Sequence, residues 1–207
     1  MTPIVANVPC SAAPWCAAAT MTGVTAAPLP LPLAAAPAHV RRLGVADATA
    51  YQALRLRGLA EYPQAFTSSA AEESLRPLEW SVQRLTADPQ RPHDLFLGGF
   101  VNGELQGLVG LQGRYRPKER HNASVVGLFV APEASGRGLG RALMNELLRR
   151  ARARPELLQL DLTVTEGNAA AQALYASLGF TVYGVLPSAI RVEGRDYAKV
   201  HMVCRLR

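Results

Sequence analysis

In VAPEASGRGLGRALMNELL, Val130 to Leu148, an apolar run ends at Pro132 and three glycines, Gly136, Gly138 and Gly140, lead directly into a helical pattern. Glycine lets the backbone approach a ligand closely. The first N–H groups of a helix have no acceptor within it and share the positive end of its dipole, so a turn of this kind can hold an anion. Pyrophosphate is the natural guest. A P-loop needs Lys-Ser/Thr after the last glycine, where this chain has Arg141-Ala142; a dinucleotide fingerprint needs G-x-G-x-x-G, where this chain has G-x-G-x-G. On the glycines alone, a turn that binds nothing stays open.

Working outward, residues 138 to 154 have helical spacing, with Leu139, Ala142, Leu143, Met144, Leu147 and Leu148 on an apolar side, Arg149, Arg150, Arg152 and Arg154 toward the far end, and Pro155 as the stop. Upstream, Ala123 to Val130 reads as a strand. Before it, LFLGGFV and ELQGLVGLQGRYR flank Asn102-Gly103, the strongest short hairpin signal. The folded pattern begins at His39 with a short strand, HVRRL, then a helix opened by Asp47 that ends at Pro63. Residues 70 to 86 form a second helical region with an interruption at Pro77; Glu72 and Glu73 stand in its first turn, where the macrodipole favours acids. Downstream come the strand LLQLDLTV, a helix from Ala169 to Leu178 after Asn168, the strand FTVYGV and a last strand, DYAKVHMVCRL. In that last strand Ala198, Val200, Met202, Cys204 and Leu206 share a face, which makes Cys204 a core residue. The fold class is α+β, a mixed sheet with helices on both faces.

With 207 residues, 49% of them hydrophobic, the chain suits one domain with one core, and no run of 18 apolar residues suggests a membrane span. Its net charge of +6 favours phosphate-bearing partners. Dispersed arginines and only 6% aromatic residues offer no stacking platform, so no nucleic-acid partner is expected. Cys10, Cys16 and Cys204 form neither a CxxC pair nor a zinc or disulfide pattern, so no metal is expected and a reducing cytoplasm fits. Residues 1–38 carry no Asp, Glu, Lys or Arg, and Ala and Pro dominate them. They read as a disordered leader or a mis-called start with Met21 as initiator, ahead of a domain spanning 39–207. The first basic residue is Arg41 and prolines break every apolar stretch, which argues against a signal peptide.

Two separated motifs, V-x-P-E-x-x-G-x-G-x-G-R-A-L at Val130 to Leu143 and L-x-V-x-x-x-N-x-x-A-x-x-L-Y-x-x-L-G-F at Leu162 to Phe180, resemble the GCN5-related N-acetyltransferase (GNAT) family. The resemblance reaches upstream through YPQAFTSS and KERHNASVVGLFV and downstream through GVLPSAIRVEGRDY. It implies an acetyl-CoA-dependent acyltransferase that holds its cosubstrate in a V-shaped opening between two splayed parallel strands of a mostly antiparallel sheet. Leu128, Phe129 and Val130 would bind the pantetheine arm through their backbone. Ser135, Gly136, Arg137, Gly138, Leu139, Gly140 and Arg141 would bind the pyrophosphate. Asn168 and Tyr175, about two helical turns apart, would face the coenzyme. The family usually has Gln or Arg where Ser135 stands; a Ser can still donate its N–H.

In this reading a neutral primary amine of a small molecule, peptide or protein attacks the thioester directly in a ternary complex, and Tyr175 is the candidate acid for the leaving thiolate. Core packing is the plainer role for Tyr175, and helix capping for Asn168. No general base stands out: His121, Glu133 and Glu166 lie near strand ends, and water is an alternative. Glu72 and Glu73 could attract a cationic amine, though a capped helix start accounts for them more simply. A homodimer fits the family. The competing readings are a degenerate acyl-CoA-binding regulatory domain and, more remotely, a nucleic-acid-binding module.

Overall fold

The computed structural model describes residues 39–207; the expected leader, with Cys10, Cys16 and Met21, lies outside them. The elements run β1 (His39–Arg42), α1 (Ala48–Glu61), α2 (Ala70–Ser74), α3 (Leu78–Leu85), β2 (Leu95–Val101), β3 (Glu104–Gly113), β4 (Asn122–Val130), α4 (Leu139–Arg152), β5 (Gln159–Thr165), α5 (Ala169–Ser177), β6 (Thr181–Val192) and β7 (Arg195–Arg205). The seven strands form one sheet in the order β1-β2-β3-β4-β5-β7-β6. Every neighbouring pair is antiparallel except β4 and β5.

Local chemistry sets most boundaries. Asn102 and Gly103 both take positive φ, and Val101 pairs with Glu104, the two-residue hairpin expected of Asn-Gly. The helical region at 70–86 divides at Pro77, which stands extended before α3. A reciprocal capping box between Ser69 and Glu72 opens α2. Asp47 does not cap α1 with its side chain; its carboxylate accepts the Gly44 N–H and a bidentate pair from Arg41, which fastens β1 to the turn before the helix.

Alternation along the strands divides the core between two faces of the sheet. On one face α1 and α3 cover Phe96, Leu108 and Phe129. On the other α4 buries Leu139, Leu143, Met144, Leu147, Leu148 and Ala151 against Leu97, Val109 and Leu111, beside Tyr175 of α5. Cys204 is buried there with Val200, Met202 and Leu206.

One strand is longer than its sequence suggests. FTVYGV reads as ending at Val185, but β6 continues to Val192 and turns into β7 through Glu193 and Gly194, both at positive φ. Pro187, which has no N–H, and Ser188 at φ 46° lie in a break of register between Leu186 and Ile190 that hides the strand's alternation.

Candidate functional site

The site grows from the one parallel junction. β4 and β5 pair only at Asn122, Ala123 and Ser124 with Gln159, Leu160 and Asp161, then separate. A bulge explains the separation. Leu108 faces Phe129 while Gly110 faces Val126, so β4 uses one residue more than β3, and Gly127 takes φ 64°. Beyond the bulge, the Ala131 N–H donates to the Gln106 carbonyl at 2.8 Å. Antiparallel hydrogen bonds alternate, so the main-chain groups of Val130, one residue earlier, turn away from β3 and toward the gap.

The gap opens into a cleft of about 380 Å³. Its walls are Val125 to Phe129 of β4, Leu162 to Thr165 of β5, and Asn168, Ala171 and Tyr175 at the start and along α5. Tyr62, Phe66, Glu73, Trp80 and Arg84 close it from the α1–α3 side. Asn168 is buried and caps α5, its Oδ1 accepting the Ala171 N–H at 3.1 Å. Tyr175 is 6% exposed and packs on Phe180; its hydroxyl has no hydrogen-bond partner among the described residues. Burial pushes its phenol well above the usual tyrosine range. Leu128 and Phe129 line the cleft, whereas the Val130 side chain is in the core and only its main chain faces the gap.

Beside the end of β4, the glycine turn leaves a run of donors. The Ala134 N–H donates to Ala131, Ser135 to Pro132 at 3.1 Å, and Ala142 to Gly138 at 2.9 Å. Between them the six N–H groups of Gly136, Arg137, Gly138, Leu139, Gly140 and Arg141 have no acceptor among the described residues. Gly136 and Gly138 sit at φ 73° and 80°, the left-handed steps that fold successive N–H groups into a concave anion cradle. This corrects the expectation for Ser135, whose N–H is already used within the 3-10 turn at Pro132–Ala134. Leu139 offers its main chain alone, because its side chain is 2% exposed and packs into space that side chains on Gly99 and Gly107 would fill. Arg137 and Arg141 are exposed and free of ion pairs among the described residues.

The suggested bases lie elsewhere. His121 stands at the closed end of the β4–β5 pair, where its carbonyl accepts the Leu158 N–H. Glu133 is bound to Arg57 at 2.6 Å, and Glu166 lies in the exposed turn after β5, outside the cleft lining. The two first-turn acids of α2 separate: Glu72 forms the capping box, but Glu73 is 7% exposed, lines the cleft and takes a bidentate grip from Arg55 at 3.1 and 2.8 Å. That guanidinium holds Glu73 below the usual carboxylate range despite its burial.

Lys199 was not apparent in the sequence, where strand alternation puts it on the polar face of β7. It is 5% exposed, and its ammonium donates to the carbonyls of Ala65 at 3.0 Å and Gln64 at 3.4 Å and to Thr165 Oγ1 at 2.8 Å. Burial lowers its pKa to about 8. Its partners come from the segment after α1, more than a hundred residues away in sequence, and from β5, so no local signal could have revealed it.

The acetyltransferase (GNAT) family profile matches residues 59–180. The N-alpha-acetyltransferase RimI of Mycobacterium tuberculosis is 35% identical over 119 residues, which are 56% of this chain and 71% of that protein. Among solved structures, a ribosomal-protein-alanine N-acetyltransferase from Brucella melitensis is 28% identical, with a TM-score of 0.68 over 81% of this chain and 99% of that one. YncA of Salmonella typhimurium, a putative acetyltransferase solved with acetyl-CoA, superposes with a TM-score of 0.68 at 23% identity, over 83% of this chain and 95% of that one.

Proposed function

The chain belongs to the GNAT family of acetyltransferases, and from that premise we propose that it transfers the acetyl group of acetyl-CoA to a primary amine by direct attack in a ternary complex. The observation that carries this reading is the run of six unpaired N–H groups, Gly136 to Arg141, beside a strand gap lined by Tyr175. These residues fit the cosubstrate: the cradle would take the pyrophosphate, with Arg137 and Arg141 adding charge, and the open edge of β4 at Leu128, Phe129 and Val130 would take the pantetheine arm as an added strand.

Acetyl-CoA supplies an acetyl thioester with a thiolate leaving group. The Val130 N–H faces the gap and would donate to the carbonyl oxygen as it gains charge. Asn168 presents its Nδ2 while Oδ1 stays on the cap. Tyr175 would protonate the departing sulfur as the C–S bond breaks, and the proton lost by the acylated nitrogen, carried by water, would restore the phenol. Its reference pKa of about 10 lies above the thiol's 8.5 or so, but the apolar setting that lifts the phenol also penalises a bare thiolate, so placement decides the transfer. The cleft has no free carboxylate or histidine among its described residues to serve as base. Instead Arg55, Arg76, Arg84 and Lys199 face one acid, Glu73, and this positive surplus lowers the pKa of an incoming amine toward the neutral, attacking form.

Titration with acetyl-CoA, followed by heat and thermal shift, and thiol release across an amine and peptide panel test the proposal together. Binding with thiol release is expected; no heat and no shift would contradict it. Tyr175→Phe should lower kcat about a hundredfold with coenzyme affinity nearly intact. Because the Mycobacterium tuberculosis relative is named for N-alpha acetylation, peptide N-termini belong in the panel beside small amines. The setting in this reading is the reducing cytoplasm, in keeping with a buried Cys204 that forms no disulfide among the described residues. A homodimer is part of the same reading, its contact the edge strand β6, where Val182, Tyr183, Val185 and Leu186 are half exposed or more. Light scattering of the wild type and Val185→Lys should give a dimer and a monomer; a wild-type monomer would remove this part.

A further inference from the structure

The cleft passes through the sheet. The cradle and α5 lie on the α4–α5 side, so the coenzyme arrives there and the acceptor enters from the α1–α3 side. That side carries an uneven charge. Arg55 is satisfied by Glu73, and Lys199 donates only to neutral oxygens. Arg84 and Arg76 also line the cleft and form no ion pair among the described residues. Both guanidinium groups lie over the Trp80 ring, at 4.6 and 5.2 Å from its centroid, and Arg84 lies 4.7 Å from the Phe96 ring as well. Nε of Arg84 is buried without a hydrogen-bond partner. A buried donor left unpaired is costly, and a guanidinium set over aromatic rings with no ion pair keeps charge and donors for a carboxylate.

Resting on the acetyl-transfer reading of this cleft, we infer that the acceptor is an amine that carries its own carboxylate, received by Arg84 with help from Arg76 beside Trp80. A second positive charge on the acceptor, as in a polyamine or a lysine-rich tail, would meet the same surplus of cations without compensation. An anionic group near the amine removes that repulsion and pairs with the part of the Arg84 guanidinium that lines the cleft. Free amino acids and short peptides with an acidic residue near the N-terminus share this chemistry.

The test uses the full chain and matched acceptors: methionine against methioninamide, glutamate against its diamide, an alanyl-aspartyl peptide against the alanyl-asparaginyl peptide with both C-termini amidated, and spermidine as the polycation. Thiol release should favour each acid over its amide by about tenfold or more in kcat/KM, mainly through KM, because the amide leaves the guanidinium unpaired. Arg84→Gln should bring that ratio close to one, and Arg84→Lys should restore part of it. The amino acid and peptide arms identify the source. Equal or better turnover of the amides or spermidine would overturn the inference, as would Arg84→Gln slowing acid and amide by one common factor. A readout independent of turnover is Trp80 fluorescence, with Trp80→Phe correcting for Trp15: the acids should change the emission, and Arg84→Gln should abolish the change. If no amine releases thiol, the acetyl-transfer reading fails, and the emission alone then decides the anion site: a response sustains it and silence overturns it.

Discussion

Lys199 is the side chain whose environment departs most from what its place in the sequence suggests. A buried ammonium with three neutral acceptors and no carboxylate is poorly compensated, and its pKa falls to about 8 against an ordinary value near 10.5. The sign of the linkage follows. Between those two values the unfolded chain holds the proton that the folded chain has released, so stability contributed at this site rises with pH across the window and is lowest below about 8. Thermal melts of wild type and Lys199→Met from pH 7 to 10 should therefore show the wild type gaining on the variant above pH 8. Parallel curves would contradict the burial of a charged lysine. Asn168 and Tyr175 could be read from sequence because seven residues on a helix return to one face, a local property. Glu73 and Lys199 could not, because what buries them, Arg55 and the Gln64–Ala65 carbonyls, comes from distant parts of the chain.

At the scale of elements, the start of α4 is the part most tightly bound to one residue type. Gly138 sits at φ 80° and a Cβ there would meet nothing within 4 Å, so Gly138→Ala costs conformational energy alone, about 1–2 kcal/mol. For a domain of this size that is a drop of roughly 2–8 °C in Tm. The same change turns the adjoining N–H groups out of the cradle, so acetyl-CoA affinity should fall about tenfold. Gly194→Ala is the control, since it has the same left-handed strain at φ 78° in the β6–β7 turn, and titration should find its affinity unchanged. Equal affinity loss in both variants would show that the cradle has no special part. The Asn102–Gly103 hairpin and the glycine turn were legible because their residue types permit few conformations. The far half of β6 was not, because Pro187 and Ser188 break the alternation by which a strand is read. The bulge at Gly127, which opens the gap, left only one glycine in an apolar run as its sign.

For the molecule as a whole, the one parallel pair in the sheet, β4–β5, is where the strands part, and both helical layers meet the cleft there. The two motifs pointed to the proposed coenzyme side. The proposed acceptor side, assembled from α1, α2 and α3 with β7, became visible only when the tertiary fold brought Glu73 beside Trp80 and Arg84 of α3. The central claim is that the parted strands and the unpaired N–H groups form one binding site. Its most direct test is a crystal structure of the full chain with acetyl-CoA. The account predicts pyrophosphate density within hydrogen-bonding distance of the Gly136–Arg141 N–H groups and a thioester between β4 and β5 beside the Tyr175 hydroxyl. Coenzyme bound elsewhere, or a β4–β5 gap closed by side chains with the cradle facing solvent, would contradict it.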